Sequence, residues 1–236
     1  MQQPVIEKHK PTSSQSRLIN HIKGKEPGPT VVFFAGIHGN EQAGVKALKR
    51  VLKNVEGNVS RGNIYGIYGN LKALKTNKRF IDEDLNRMWT HKKLEQLKHN
   101  DQDIHEKQEQ RELYTILSSL IEKTKGPMYF IDLHTTSSVT LPFITINDAI
   151  INRKFAKHFP CPVVLGIEEY LEGPLLSYLN TRGYVSLGFE SGQHIDPQAI
   201  INGEAFIYLT LVQLQLLKDV NPERYDECRN TLNSAS

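Results

Sequence analysis

His38 and Glu41 stand three residues apart in the segment Gly36-Ile37-His38-Gly39-Asn40-Glu41. On the first turn of a helix, positions i and i+3 face the same side, so an imidazole and a carboxylate there can grip one cation. Gly36 and Gly39 would let the backbone fold sharply at that point. Zinc takes nitrogen, sulfur or oxygen donors, and its catalytic sites usually combine three protein ligands with water. Two histidines with one glutamate make such a set. The candidate for the third ligand is His134, in Ile131-Asp132-Leu133-His134-Thr135-Thr136. Asp132 precedes it by two, on the same strand face, where it can orient an imidazole.

Each of these residues also has a plainer reading. His38 could be a loop histidine, and Glu41 a helix N-terminal carboxylate favoured by the macrodipole. A histidine after a strand is often just a hydrogen-bonded polar terminus. Gln42 follows Glu41, so the His-x-x-Glu-His pattern of metalloproteases is absent.

Two more segments complete the chemistry. Glu190, in Gly188-Phe189-Glu190-Ser191-Gly192, ends an apolar run. Beside a metal-activated water it would act as general base and then general acid; alone, it would read as a turn-capping glutamate. The run Lys78-Arg79-Phe80-Ile81-Asp82-Glu83-Asp84-Leu85-Asn86-Arg87 supplies cations. Arginine forks suit carboxylates, and a positioned cation stabilises a developing oxyanion. The alternative is a surface loop whose arginines pair with Asp82, Glu83 and Asp84.

The elements that must position these groups are legible. Residues 31–37 form a continuous apolar run, as in a strand buried on both faces. A helix follows with Val45, Leu48, Val51 and Leu52 at helical spacing. Residues 63–69 read as a strand, and 70–90 as a long irregular stretch of the kind that is usually functional. Residues 92–111 are highly charged and run into a helix bearing Leu113, Ile116, Leu117, Leu120 and Ile121. Strands follow at 128–133 and 184–189, with weaker ones at 142–146 and 163–167. Helices are expected over 150–158, from Pro174, and over 197–218. Strands alternating with helices predict an α/β three-layer sandwich with a mainly parallel mixed sheet. His38, His134 and Glu190 all fall at strand ends, where ligands bind in open α/β sheets. The expectation is one domain over 1–236, with residues 1–16 and a polar tail at 219–236 peripheral.

Composition narrows the function classes. The 236 residues carry a net charge of +3, and the basic residues are spread along the chain, so nothing points to nucleic acid as a partner. Residues 1–10 are too polar for a signal peptide. Residues 199–217, interrupted by Asn202, Gly203, Glu204, Gln213 and Gln215, make a poor membrane span. Cys161 and Cys228 form no framework; one bridge between them stays open, and two reduced thiols with a cytoplasmic location are the expectation. A homo-oligomer is compatible with all of this.

Taken together, the four motifs resemble the aspartoacylase and succinylglutamate desuccinylase family, relatives of zinc carboxypeptidases. They come in the family's order from about residue 31 to 195. The resemblance implies a zinc carboxypeptidase-like fold with one Zn2+ held by His38, Glu41 and His134. It implies that Glu190 handles the catalytic proton and Arg79 polarises the scissile carbonyl. Asn86 and Arg87 would bind the carboxylate of a small-molecule substrate. Family members cleave N-acyl amino acids, and related ones act on amide or ester bonds more loosely. A carboxypeptidase-like or esterase activity on larger substrates, and a zinc-binding regulatory protein without catalysis, are the rival readings. Two features depart from the family. Its well-known enzymes carry a C-terminal, mainly β domain, including a substrate-contacting tyrosine, which this sequence is expected to lack. They also carry another substrate arginine upstream of the glutamate; Arg182 lies in that region at too short a spacing, and the role is not carried over to it.

Overall fold

The structure, a computed structural model, describes residues 17–97 and 104–233. The segment 1–16, part of the charged stretch 92–111 and the last three residues lie outside them. Among the described residues, seven strands form one sheet: β1 (Leu18–Lys23), β2 (Glu26–Ala35), β3 (Arg61–Tyr68), β4 (Met128–Thr136), β5 (Phe143–Ile146), β6 (Val163–Leu165) and β7 (Val185–Gln193). Their order is β1-β3-β2-β4-β7-β5-β6. The inner four, β3, β2, β4 and β7, run parallel. β1 and β5 pair antiparallel to that block, and β6 runs parallel to β5. This is the mixed, mainly parallel sheet that the sequence predicts.

Eight α-helices among the described residues accompany it: α1 (Gln42–Val55), α2 (Leu71–Thr76), α3 (His91–Gln96), α4 (His105–Lys123), α5 (Ile150–Ala156), α6 (Leu175–Thr181), α7 (Gln198–Gln213) and α8 (Pro222–Asn233). Successive strand residues face opposite sides, so a strand covered on both faces must be apolar throughout. In β2, Val31 and Phe33 enter one core with Leu48 and Val51 of α1 and Phe206 of α7. Val32 and Phe34 enter the other with Leu113 of α4 and Leu179 of α6. Each such side chain contributes roughly 1.5–3 kcal/mol on burial. Phe189 of β7 stacks on Phe206 at 4.0 Å between centroids, which fixes α7 against the sheet.

Several local expectations change. β1 gives almost no sequence signal, because at the sheet's edge only Ile22 is fully buried while Leu18 and His21 stay exposed. The stretch 70–90 is not irregular throughout; it contains α2 and a 3₁₀ turn at Leu85–Arg87. The last long helix stops at Gln213, and Gln215 takes a left-handed φ of 54° that turns the chain back. The polar tail after Asp219 contains α8, which buries Cys228 and Leu232. Cys161 and Cys228 are both free. No helix among the described residues is long and apolar enough to cross a membrane.

Candidate active site

The site forms beyond the carboxyl ends of β2, β4 and β7. After Ala35 the chain must leave the sheet and start α1 within six residues, and two glycines permit this. Gly36 has φ +74°, a region that side chains rarely adopt. Gly39 is needed for space: a Cβ there would lie 2.0 Å from the backbone carbon of Ala73 in α2. The turn they make brings His38 and Glu41 onto one side. His38 Nδ1 lies 2.8 Å from Glu41 Oε1.

β4 delivers His134 to the same carboxylate, with its Nδ1 2.9 Å from Glu41 Oε2. The Thr135 amide donates to that oxygen at 3.1 Å. His38, Glu41 and His134 are all buried, and their ligand atoms lie within 4.8 Å of one another. The outward nitrogens are also occupied. Nε2 of His134 is 2.8 Å from Asp132 Oδ2, and Nε2 of His38 is 3.1 Å from Asp84 Oδ1. The Asp132 contact is electrostatic in character, since neither of its oxygens has an aligned hydrogen-bond donor.

These charges are mutually dependent. Burial works against the charged form of Glu41, but His134 and His38 outweigh it and hold the carboxyl well below the usual range. Burial likewise opposes charge on His38, yet Asp84 and Glu41 raise its pKa; for His134, Asp132 and Glu41 do so strongly. The donor set suits zinc: two imidazole Nδ1 atoms and a carboxylate converge, and each imidazole is backed by a second carboxylate, the usual support of metal-bound histidine.

Glu190 pairs with His134 in the β4–β7 register, so both side chains project on one sheet face. Its Oε2 is buried with no hydrogen-bond partner among the described residues. Burial pushes its carboxyl up to about 7, an effect that His134 opposes and that Glu41 and Asp132 reinforce. A half-buried carboxylate beside the triad, with one oxygen sealed off and unpartnered, is suited to exchanging a proton.

Arg79 reaches the cluster from the loop, 3.5 Å from Glu41 Oε1 and 3.1 Å from Asp84 Oδ2. Asn86 and Arg87 are half-buried in the 3₁₀ turn behind it. Asn86 Oδ1 accepts from the Leu175 amide at the start of α6, at 2.9 Å, and Arg87 donates to the Asn86 carbonyl at 2.7 Å. Arg182 is elsewhere. It follows the far end of α6, before β7 begins, and its guanidinium bonds the Tyr178 hydroxyl at 2.6 Å.

Two supporting residues are not singled out by spacing. Asp84 belongs to a run of acids that could equally pair with solvent-side arginines; only the fold aims it at His38. Glu106, in the first turn of α4, is fully buried and anchors the arginine loop. It accepts from the amides of Ile81, Asp82 and Glu83 at 2.7–3.2 Å and from Asn70 Nδ2 at 2.9 Å. Nothing in a charged helix start distinguishes such a residue from a solvated one.

A mixed α/β sandwich with this cluster at its strand ends has the zinc carboxypeptidase-like architecture. The chain belongs to the succinylglutamate desuccinylase/aspartoacylase catalytic domain family, whose sequence model matches residues 27–178. Glu190 lies beyond that match, so its placement rests on geometry. A succinylglutamate desuccinylase of Photorhabdus laumondii is 41% identical over 75 residues, 31% of this chain and 22% of its own length. A probable aspartoacylase of Acaryochloris marina is 29% identical over 142 residues, 59% of this chain and 44% of its own. The chain thus matches less than half the length of either relative. A crystal structure of a succinylglutamate desuccinylase/aspartoacylase from Rhodobacter sphaeroides superposes with a TM-score of 0.66 at 19% identity. That superposition covers 85% of this chain and 59% of the other, and it carries the fold alone.

Proposed function

We propose that this protein is a zinc-dependent deacylase that hydrolyses the amide, or ester, bond of an N-acyl amino acid or similar small carboxylate. The observation that carries the reading is the convergence of both imidazole Nδ1 atoms on Glu41, with the unpartnered Oε2 of Glu190 on the neighbouring strand. His38, Glu41 and His134 would hold the ion. Zinc, when bound, polarises a carbonyl and makes a nearby water more acidic. Glu190 accepts a proton from the attacking water as its oxygen bonds to the acyl carbon. The same carboxyl then protonates the leaving nitrogen as the carbon–nitrogen bond breaks. Arg79 faces the place where negative charge develops and stabilises it. Asn86 and Arg87 anchor the substrate carboxylate, which orients the scissile bond and supplies part of the rate gain.

Metal content and turnover of a panel of N-acyl amino acids test this reading together. Purified protein is expected to hold one zinc, with affinity lost in His38→Ala. Glu190→Gln is expected to keep the zinc and lose turnover. A protein that takes up no zinc, or whose zinc affinity survives His38→Ala, overturns the reading.

A further inference from the structure

At the amino ends of the parallel strands, away from the triad, lies a cavity of about 980 Å³. About 17 Å of β2 separates Thr30, on its wall, from Ala35 beside the candidate active site. None of the candidate active-site groups lines it. Its charge is lopsided: Lys23, Lys25, Arg61, Lys123 and Lys125 face it against a single carboxylate, Glu26. That local excess is larger than the +3 of the whole chain, so the rest of the molecule is close to neutral.

These cations come from three separate elements. Lys23 and Lys25 flank the β1–β2 turn, Arg61 opens β3, and Lys123 and Lys125 follow from the end of α4. None of the five makes an ion pair among the described residues, although Glu26 sits opposite Arg61 in the β2–β3 register. The Nε of Arg61 is buried without a hydrogen-bond partner among the described residues. A buried donor left unpaired costs about 1–3 kcal/mol, and clustered like charges repel. An anion in the cavity would offset that repulsion and accept from the remaining, accessible N–H groups of the half-buried Arg61 guanidinium. The wall also offers Gln213 and Gln215 amides and the Tyr65 ring, which stacks on His21 at 4.0 Å. The volume falls within the range of small-molecule pockets.

We propose that this cavity binds a small polyanion, a molecule carrying two or more phosphate or carboxylate groups, at a site separate from the hydrolytic centre. Lys23, Lys25, Lys123 and Lys125 supply the attraction, and Arg61 supplies the directional hydrogen bonds. Binding depends on ionic strength, because four of the cations are solvent-exposed.

Titration calorimetry on the zinc-loaded protein at low salt tests this, with fructose 1,6-bisphosphate and tricarballylate as separate probes. Saturable binding of either is expected, and the probe that binds identifies phosphate or carboxylate as the recognised group. The affinity should fall about tenfold or more, one charge-assisted contact's worth, in the exposed pair variant Lys123→Gln/Lys125→Gln. A similar loss is expected in Arg61→Gln, while Arg79→Ala leaves the binding unchanged. Turnover of the pair variant without probe should equal that of the parent. Absence of binding by both probes overturns the proposal. So does binding that survives the cavity variants or disappears in Arg79→Ala, which would place the probe at the hydrolytic centre.

Discussion

Asn70 and Glu106 meet at 2.9 Å in the interior, and their hydrogen bond ties the two halves of the candidate site together. Asn70 caps α2, whose backbone at Ala73 abuts the Gly39 turn. Glu106 holds the amides of the loop that carries Arg79 and Asp84. Replacing Glu106 with alanine strands four donors. The expected cost is about 3 kcal/mol or more in urea unfolding. Among the molecules that remain folded, a loop displaced by about 1 Å should lower kcat/KM about a hundredfold. Glu106→Gln, which keeps the volume and one acceptor, should fall between.

Asp132 and Asp84 each back one imidazole of the triad. Asp132→Asn and Asp84→Asn are expected to weaken zinc affinity by about 10- to 100-fold each. Competition with a chromophoric chelator measures this directly. Unchanged affinity in both variants would mean that the contacts orient nothing.

Gly39→Ala places a methyl carbon against the Ala73 backbone, which cannot move without shifting α2. Overpacking of this kind costs about 1–3 kcal/mol. Gly57→Ala is the matched control, since nothing lies within 4 Å of its added carbon. A Tm loss confined to the first variant, accompanied by lost zinc affinity, is expected.

Proton linkage has a definite sign in the zinc-free protein. Glu190, raised from 4.5 to about 7, holds its proton longer when folded than when unfolded. Stability therefore falls as pH rises from about 4.5 towards 7 and is level beyond it on this group's account. His38 and His134, also raised, add stability that is complete below 6.5 and is lost as pH rises through their folded values. Glu41 and Asp84, both depressed, act in the opposite sense, but only below the ordinary carboxylate range. Unfolding free energy should thus decline between pH 5 and 7, and Glu190→Gln should flatten part of that decline. Zinc should reverse the trend, because its ligands bind in their deprotonated forms.

Arg182, held against Tyr178 at the far end of α6, should be dispensable for substrate recognition. Arg182→Ala is expected to leave KM unchanged, whereas Arg87→Ala raises it. Equal effects from both would contradict this placement.

The parallel core was legible because strands covered on both faces read as unbroken apolar runs, as in β2 and β4. The convergence of His38, His134 and Glu190 followed from their positions at or near strand ends, although β4 and β7 run on past them to Thr136 and Gln193. Edge strand β1 was not legible, since half of it meets water and its alternation is broken by Asn20 and His21. Helix α8 was hidden for a related reason: only Cys228 and Leu232 of its twelve residues are buried. Asp84 and Glu106 escaped detection because a carboxylate's role depends on what the fold aims at it. The sequence shows a charge run, and only the tertiary structure separates the acid that meets His38 from those facing solvent.

The bond from the Leu175 amide to Asn86 settles which way the Asn86 side chain is turned. That bond uses one lone pair of its oxygen and turns its N–H groups the other way, towards an incoming acceptor. In the substrate-binding role proposed for it, Asn86 would therefore favour an acceptor such as a carboxylate or carbonyl oxygen over an ammonium or other pure donor. Selectivity of that kind would be set by the attachment of a helix start, one element removed from the substrate itself.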